Sequence, residues 1–180
     1  VGSIDVTTSA GESYASAYIN GSLDVYGDVN VQTDSDAYHS SAYLHMDSAY
    51  FHNNDLNVAA YGDYSSASLD IGYASGELHN VTVNAAGEGT YVSAYLGNID
   101  SVTGSIDVLA GGYGLYDSSA YLGINGANLD YVNVYLAAYD QSAMVSLDLT
   151  NVSGHINSID VYAGGYSSYT SAYVSGDVTI

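Results

Sequence analysis

The sequence predicts an all-β protein, a parallel β-helix (β-solenoid) of about seven coils, each with about 25–27 residues. Three observations lead to this prediction. A short apolar–polar–valine phrase recurs at a nearly constant interval, and a second apolar position recurs at a fixed distance from it. Apolar and polar residues also alternate with period two, between clusters of the Gly, Asn, Ser and Asp residues that form turns.

The apolar–polar–valine phrase sets the period. Successive copies start at positions 4, 29, 56, 81, 106, 132 and 159. Alternation directs the first and third residues of each copy towards a core and the middle residue towards solvent. The seven copies are Ile4-Asp5-Val6, Val29-Asn30-Val31, Leu56-Asn57-Val58, Val81-Thr82-Val83, Ile106-Asp107-Val108, Val132-Asn133-Val134 and Ile159-Asp160-Val161.

The second apolar position is the fifteenth after the start of each phrase, or the sixteenth in the fifth copy. In five copies it ends the tetrapeptide Ser-Ala-Tyr-apolar, whose tyrosine alternation places outside. We therefore expect one outward column of tyrosines, interrupted at Asp70 and Ser146. Its members are Tyr18, Tyr43, Tyr95, Tyr121 and Tyr173.

Stacking explains why equivalent positions recur. A unit of about three short strands cannot bury its own apolar side, so each unit must pair with the next to enclose a Val/Ile/Leu core. Residues 1–180 are therefore expected to form a single solenoid segment. The chain begins in phase with its repeat and ends on a strand. We therefore expect the chain to be part of a longer array; the alternative is a fibre in which subunits stack end to end.

Composition excludes several partners. The chain has 20 acidic residues, no Lys or Arg and a net charge of −20, so it cannot neutralise phosphates of nucleic acid or an anionic membrane surface. It has no apolar run of transmembrane length, which argues against membrane insertion. Diffuse association with divalent cations such as calcium is expected, without an ordered site, because the EF-hand and β-roll calcium motifs are absent.

No catalytic, cofactor or metal site is predicted. The acids are spread along the chain, and only Asp34 and Asp36 lie close together in sequence, so paired carboxylates for glycan hydrolysis are not expected. His39, His45 and His52 share one repeat with Asp47 and Asp55, but no HxxxH spacing supports zinc binding. The chain is therefore not predicted to be an enzyme.

The phrases "SIDVLAGG" (105–112) and "SIDVYAGG" (158–165) resemble the strand-and-turn phrases of large bacterial surface β-helix proteins. These are the filamentous haemagglutinin-like exoproteins and autotransporter adhesins. The resemblance implies an extracellular or cell-surface location and an adhesive role.

The expected function is that of a structural shaft or fibre segment of an adhesive surface protein, in contact with flanking repeats or with other copies end to end. The alternative is a carbohydrate-binding or carbohydrate-cleaving β-helix like a phage tailspike, which uses the tyrosines to stack on sugar rings. Stacking of the tyrosines on each other, to stabilise the sheet, is the favoured interpretation of that column. Ice binding is disfavoured because the outward residues carry too much charge.

Overall fold

The structure, a computed structural model, describes residues 1–9, 11–33, 38–112, 114 and 116–180. It is an all-β parallel β-solenoid of about seven turns, so the predicted fold class is confirmed. Each turn pairs in parallel with the turn before it. The described residues contain no helix that could cross a membrane.

In the described residues, eleven strands form one continuous sheet. They are β1 (Ile4–Thr8), β2 (Tyr14–Val25), β3 (Val29–Thr33), β4 (Ser41–Tyr61), β5 (Ser66–Ile71), β6 (Ala74–Ala86), β7 (Tyr91–Val102), β8 (Ser105–Ala110), β9 (Ser119–Ala138), β10 (Met144–Ala163) and β11 (Tyr169–Thr179).

Each turn has three faces. The first face begins at residues 4, 29, 56, 81, 106, 134 and 159, and the second at 14, 41, 66, 91, 119, 144 and 169. The third face follows the second after a tight corner. Asn98, Gly126 and Asn151 occupy that corner in successive turns, with φ of 48°, 78° and 53°. Gly and Asn tolerate this left-handed conformation, so the chain bends there without interrupting β9 and β10.

The core is made of columns of inward side chains that stack from turn to turn. One such column on the second face contains Leu44, Leu69, Ala94, Leu122 and Leu147, all of them buried. Burial of each leucine contributes about 1.5–3 kcal/mol relative to an exposed position. Because each turn is covered by its neighbours, the strands depend on stacking for their stability.

The sixth repeat is displaced by two positions from its predicted alignment. The sequence interval aligns Ile106 with Val132, but the structure pairs Ile106 with Val134. Val132, Val134 and Leu136 are all buried, because every second residue lies on the same side of a strand. Alternation therefore cannot detect a shift of two positions, and the predicted alignment of this copy was wrong.

Variation in turn length is confined to the corner between the first and second faces. The starts of these faces are ten positions apart in five turns, but twelve apart in the second turn (29 to 41) and thirteen apart in the fifth (106 to 119). From the second face to the next first face the interval is always fifteen positions, as in 41 to 56 and 119 to 134. Additional residues are tolerated at this one corner because the loop there adds length without shifting a strand.

Buried hydroxyl groups fill the interior of the same corner. They belong to Ser40, Ser65, Thr90 and Ser118. The Ser65 hydroxyl accepts a hydrogen bond from the backbone N–H of Ser40 at 3.2 Å and donates to the Tyr61 carbonyl at 3.1 Å. Thr90 likewise donates to the Ala85 carbonyl at 3.1 Å. These side chains provide the hydrogen bonds that the backbone cannot make with itself where it leaves the sheet.

Asp140 holds three turns together at this corner. Its carboxylate is fully buried and accepts hydrogen bonds from the backbone N–H groups of Gly89 at 3.0 Å, Gly112 at 3.2 Å and Gly114 at 2.8 Å. A buried carboxylate is tolerated when several donors surround it. Nothing in the sequence indicated this role, because a single Asp in a predicted turn is expected to be exposed at the surface.

Candidate functional site: the tyrosine-bearing second face

All five tyrosines singled out in the sequence lie on the outer side of the second face. Tyr18 and Tyr173, in the two outermost turns, are 63% and 59% exposed, whereas Tyr95 and Tyr121 are 38% exposed. Tyr43 is half-buried. These side chains therefore present ring surface to solvent along the whole length of the solenoid.

The five tyrosines do not form one column, contrary to the prediction. The outward positions of the second face make three parallel columns, here called the entry, middle and corner columns. The entry column is Tyr14, Ser41, Ser66, Tyr91, Ser119, Met144 and Tyr169. The middle column is Ser16, Tyr43, Ser68, Ser93, Tyr121, Ser146 and Ser171. The corner column is Tyr18, His45, Asp70, Tyr95, Gly123, Asp148 and Tyr173.

The longer corners of the second and fifth turns explain why the five tyrosines lie in two columns. In the second and fifth turns the tetrapeptide Ser-Ala-Tyr-apolar begins the second face, whereas in the first, fourth and seventh turns it begins two positions later. Tyr43 and Tyr121 consequently lie in the middle column, and Tyr18, Tyr95 and Tyr173 in the corner column. The constant spacing used in the prediction mixed these two columns.

The columns repeat every three turns. Tyr occupies the entry and corner columns in turns one, four and seven, and the middle column in turns two and five; turns three and six carry Asp in the corner column. Residues 41–96 match residues 119–174 with no insertion, at a constant offset of 78 positions. The larger repeat is therefore present in the sequence, but the period of a single coil does not reveal it.

A groove crosses the second face at the sixth turn. We call it the sixth-turn groove; its volume is about 250 Å³. Tyr121 of the fifth turn and Tyr169 of the seventh turn both line it. The Ser146 and Ser171 hydroxyls, 3.1 Å apart, lie along it. Its lining residues are Ser119, Ala120, Tyr121, Met144, Val145, Ser146, Tyr169 and Ser171.

The next carboxylate along this strand, Asp148, is not among the residues that line the groove. Asp148 follows Ser146 at the next outward position of the same strand, and its Oδ1 is buried without a hydrogen-bond partner among the described residues. Burial raises the pKa of the Tyr121 hydroxyl, and the negative charge of Asp148 raises it further. A buried acceptor without a donor is costly.

The equivalent carboxylate in the third turn has a partner. Asp70 Oδ2 lies 2.9 Å from His45 Nδ1, and His45 Nε2 lies 3.0 Å from Asp47 Oδ1. The hydrogen bond to Asp47 raises the pKa of His45, the bond to Asp70 adds to this effect, and partial burial opposes it. The ring of Tyr18 stacks on His45, with centroids 4.5 Å apart. In the fifth turn Gly123 replaces His45, and Asp148 loses this partner.

The other histidines lie apart. His52 Nε2 is 2.8 Å from Asp24 Oδ1, and this hydrogen bond is the largest cause of the lowered pKa of Asp24. The His39 ring stacks on Tyr64 at 5.3 Å. In the described part of the chain, no three His, Asp or Glu residues are arranged to hold a metal ion.

The acids of the first face are separated by uncharged residues. The middle residues of the repeated phrase form a column of Asp5, Asn30, Asn57, Thr82, Asp107, Tyr135 and Asp160. Tyr135 takes the place that the sequence interval had assigned to Asn133. Asn30 donates to Asp5 at 2.8 Å. Asp34 and Asp36, which lie close together in the sequence, fall outside the described residues.

Comparison of the chain with protein-family models, with curated proteins and with solved structures finds no match.

Proposed function

We propose that this chain is a structural shaft segment of an extracellular, adhesive surface protein. The observation that supports the proposal is the three-turn unit, in which residues 41–96 match residues 119–174 without insertion. A shaft needs interchangeable units that add length and keep the same outer surface, and a stack of this kind supplies them. Variation in length is confined to one corner, so it does not disturb the stacking.

The partners proposed for the shaft are flanking turns of the same kind or further copies end to end. Ile4 and Val6 in the first turn, and Ile159 and Val161 in the last, are only partly buried, whereas their equivalents inside the stack are fully buried. Another turn with the same inward columns would cover them. Nucleic acid and membrane insertion remain outside the proposal, because the charge of −20 opposes the first and the chain has no transmembrane apolar run for the second.

The shaft proposal is tested by lengthening the chain in phase. A second copy of residues 41–118 inserted after Ser118 adds one complete three-turn unit, since residue 41 is equivalent to residue 119. We expect the maximum dimension from small-angle X-ray scattering to increase by about 14 Å, with the melting temperature kept or raised.

The matched control inserts residues 41–90, which adds two turns and breaks the three-turn order. We expect this variant to melt at a lower temperature than the in-phase variant. If the in-phase insertion fails to lengthen the molecule, or if both insertions behave alike, the shaft proposal is wrong in its central feature.

Carbohydrate recognition is a second candidate function, and the sixth-turn groove favours it. Asp70 and Asp148, the acids of the corner column, lie three turns apart, about 14 Å, so they do not form the closer pair that glycoside hydrolysis uses. We therefore propose binding rather than cleavage for this face.

A further inference from the structure

We propose that a pocket at the corner between the first and second faces binds an organic cation, namely a trimethylammonium group. We call it the tyrosine pocket. Its volume is about 230 Å³, and the described residues that line it are Tyr64, Gly89, Tyr91, Tyr116 and Asp117. It shares no lining residue with the sixth-turn groove, and the proposal goes beyond the shaft function.

Glycine keeps the tyrosine pocket open. Gly89 of the fourth turn lies between Tyr64 of the third and Tyr116 of the fifth, whose ring centroids are 5.1 Å apart with planes at 62°. A Cβ at Gly89 would lie 2.9 Å from Tyr64 Cδ1 and 3.4 Å from Tyr116 Cβ. The φ of 65° at this position also favours glycine. A larger residue would therefore press against the tyrosines and fill part of the pocket.

Tyr64 also contacts the second turn, where the pocket has a natural comparison. The Tyr38 ring meets the Tyr64 ring edge to face at 5.6 Å, and the His39 ring stacks on it at 5.3 Å. Tyr38 and His39 are the equivalents of Tyr116 and Asp117, at the offset of 78 positions. The second turn thus places an imidazole against Tyr64, whereas the fifth turn has a carboxylate at the equivalent position.

Elsewhere the chain combines a tyrosine ring and a carboxylate to hold a base of its own. The His52 ring stacks on Tyr26 at 4.3 Å, and its Nε2 lies 2.8 Å from Asp24 Oδ1. The tyrosine pocket offers the same two kinds of group, but none of its described lining residues is a base. Since the chain has no Lys or Arg, a fixed cation there comes from another molecule, and not from the side chains of a second copy.

Charge and chemistry together select the ligand. Asp117 and the net charge of −20 attract cations and repel anions. One carboxylate residue supplies fewer oxygen ligands than the roughly six to eight that calcium takes. A trimethylammonium group carries apolar methyl groups around its charge, and such cations bind on the faces of tyrosine rings. The pocket is smaller than the roughly 300–1,000 Å³ of sites for drug-sized ligands, which suits a group of this size.

The test is a titration of the intact chain with choline, followed by NMR, in about 0.15 M sodium chloride to screen diffuse attraction by the net charge. We expect saturable binding in the millimolar range, with the choline methyl signal shifted upfield by the tyrosine rings. The neutral analogue 3,3-dimethylbutanol has the shape of choline without its charge, and ethanolamine has the charge without the methyl groups. Each should bind at least about fivefold more weakly than choline.

Two variants locate the binding. Tyr116→Leu removes the ring but keeps an apolar side chain, and Asp117→Asn removes only the charge, so each should weaken choline binding at least about fivefold. The controls are Tyr38→Leu, at the equivalent position outside the pocket, and Asp130→Asn, at an exposed acid elsewhere. Both should change binding less than about twofold. Tyr116 and Asp117 are exposed, so both variants should keep the melting temperature. If Tyr116→Leu lowers it, Asp117→Asn alone decides.

Phosphatidylcholine vesicles distinguish two sources of the trimethylammonium group. If the chain binds choline but does not sediment with the vesicles, the source is a soluble cation, which is the result we expect. Sedimentation that Asp117→Asn abolishes supports the same chemistry and identifies the lipid headgroup as its source.

Three outcomes would overturn the proposal. These are no saturable binding of choline at tens of millimolar, binding of the neutral analogue or of ethanolamine as tight as that of choline, and equal losses in each variant and its control. None of these outcomes affects the lengthening expected of the in-phase insertion, so the shaft proposal is tested separately.

Discussion

Side-chain ion pairs in this protein are made through histidine, because the chain has no Lys or Arg. His45 lies between Asp47 and Asp70 and bridges the second turn to the third. These hydrogen bonds raise the pKa of His45, and the bond from His45 lowers the pKa of Asp47. At the residue scale, this pair is therefore the clearest source of a pH dependence.

The stability that His45 contributes should decrease as the pH rises. Because the pKa of His45 is raised in the folded state, the stability that His45 contributes is complete below the unfolded-state pKa of about 6.5. This stability is lost as the pH rises through the folded-state pKa. The contribution of Asp47 has the opposite sign, and is lost as the pH falls below about 3.8 through its folded value. The pair should thus stabilise the fold most between about pH 4 and 6.5.

We expect His45→Gln to lower the melting temperature more at pH 5.5 than at pH 8.5. The control is His155→Gln, since the structure places the His155 ring against Tyr131 at 4.7 Å and gives it no carboxylate partner among the described residues. Equal effects of His45→Gln at the two pH values would contradict the pairing.

The contribution of Asp140 to the free energy of unfolding can also be measured by a single substitution. Asp140→Ala removes the acceptor of three backbone N–H groups, of which that of Gly89 belongs to a buried residue, and should cost about 3 kcal/mol in the free energy of unfolding. Asp117→Ala removes the same charge from an exposed acid at the same corner and should change that free energy by less than about 0.5 kcal/mol. Urea denaturation measures both, and similar values would mean that the buried carboxylate is not what holds the corner.

At the scale of strands, the sequence predicted each face but not its register. Ile106 and Val108 were placed inside correctly, because alternation reports the side of a strand on which a residue lies. A shift of two positions leaves every side chain on the same side of its strand, so alternation cannot detect it. This shift places the tyrosines in two columns, which the sequence did not predict. Asp148 and the groove depend on this register and on contacts between turns, which no single repeat contains.

The fixed spacing from the second face to the next first face gives a prediction for strands. Two glycines inserted between Asp63 and Tyr64, at the variable corner, should cost about 1 kcal/mol of stability, because the loop absorbs them. The same insertion between Gly72 and Tyr73 must shift a strand on the third face or force a bulge, and should cost several kcal/mol. Thermal unfolding of the two variants measures the difference, and equal costs would show that the variable corner has no special tolerance.

For the whole molecule, repulsion between acidic side chains is the main unfavourable contribution to stability that the solution conditions can change. The chain carries twenty acids and no lysine or arginine, and successive turns lie about 4.8 Å apart. Added sodium chloride screens exposed charges, and calcium can also bridge neighbouring carboxylates. We expect the melting temperature to rise gradually with either salt, and further with calcium at equal ionic strength. A sharp, saturable calcium transition would reveal an ordered site, and no response would mean that the repulsion is unimportant.

The division of the tyrosines into columns and the sixth-turn groove both depend on the register of the second face. The structure pairs Ser146 with Ser171, whereas the spacing of apolar residues in the sequence aligns Ser146 with Tyr173. The chain has no cysteine, so two engineered thiols can report the pairing without interference.

Mild oxidation of the double variants Ser146→Cys/Ser171→Cys and Ser146→Cys/Tyr173→Cys, followed by mass spectrometry, is the most direct test. The first pair lies on adjacent strands at about 4.8 Å, within reach of a disulfide, and should cross-link rapidly and completely. The second pair is about 8 Å apart and should remain reduced. Rapid cross-linking of the second pair, with the first remaining reduced, would return the tyrosines to a single column and contradict the groove between Tyr121 and Tyr169.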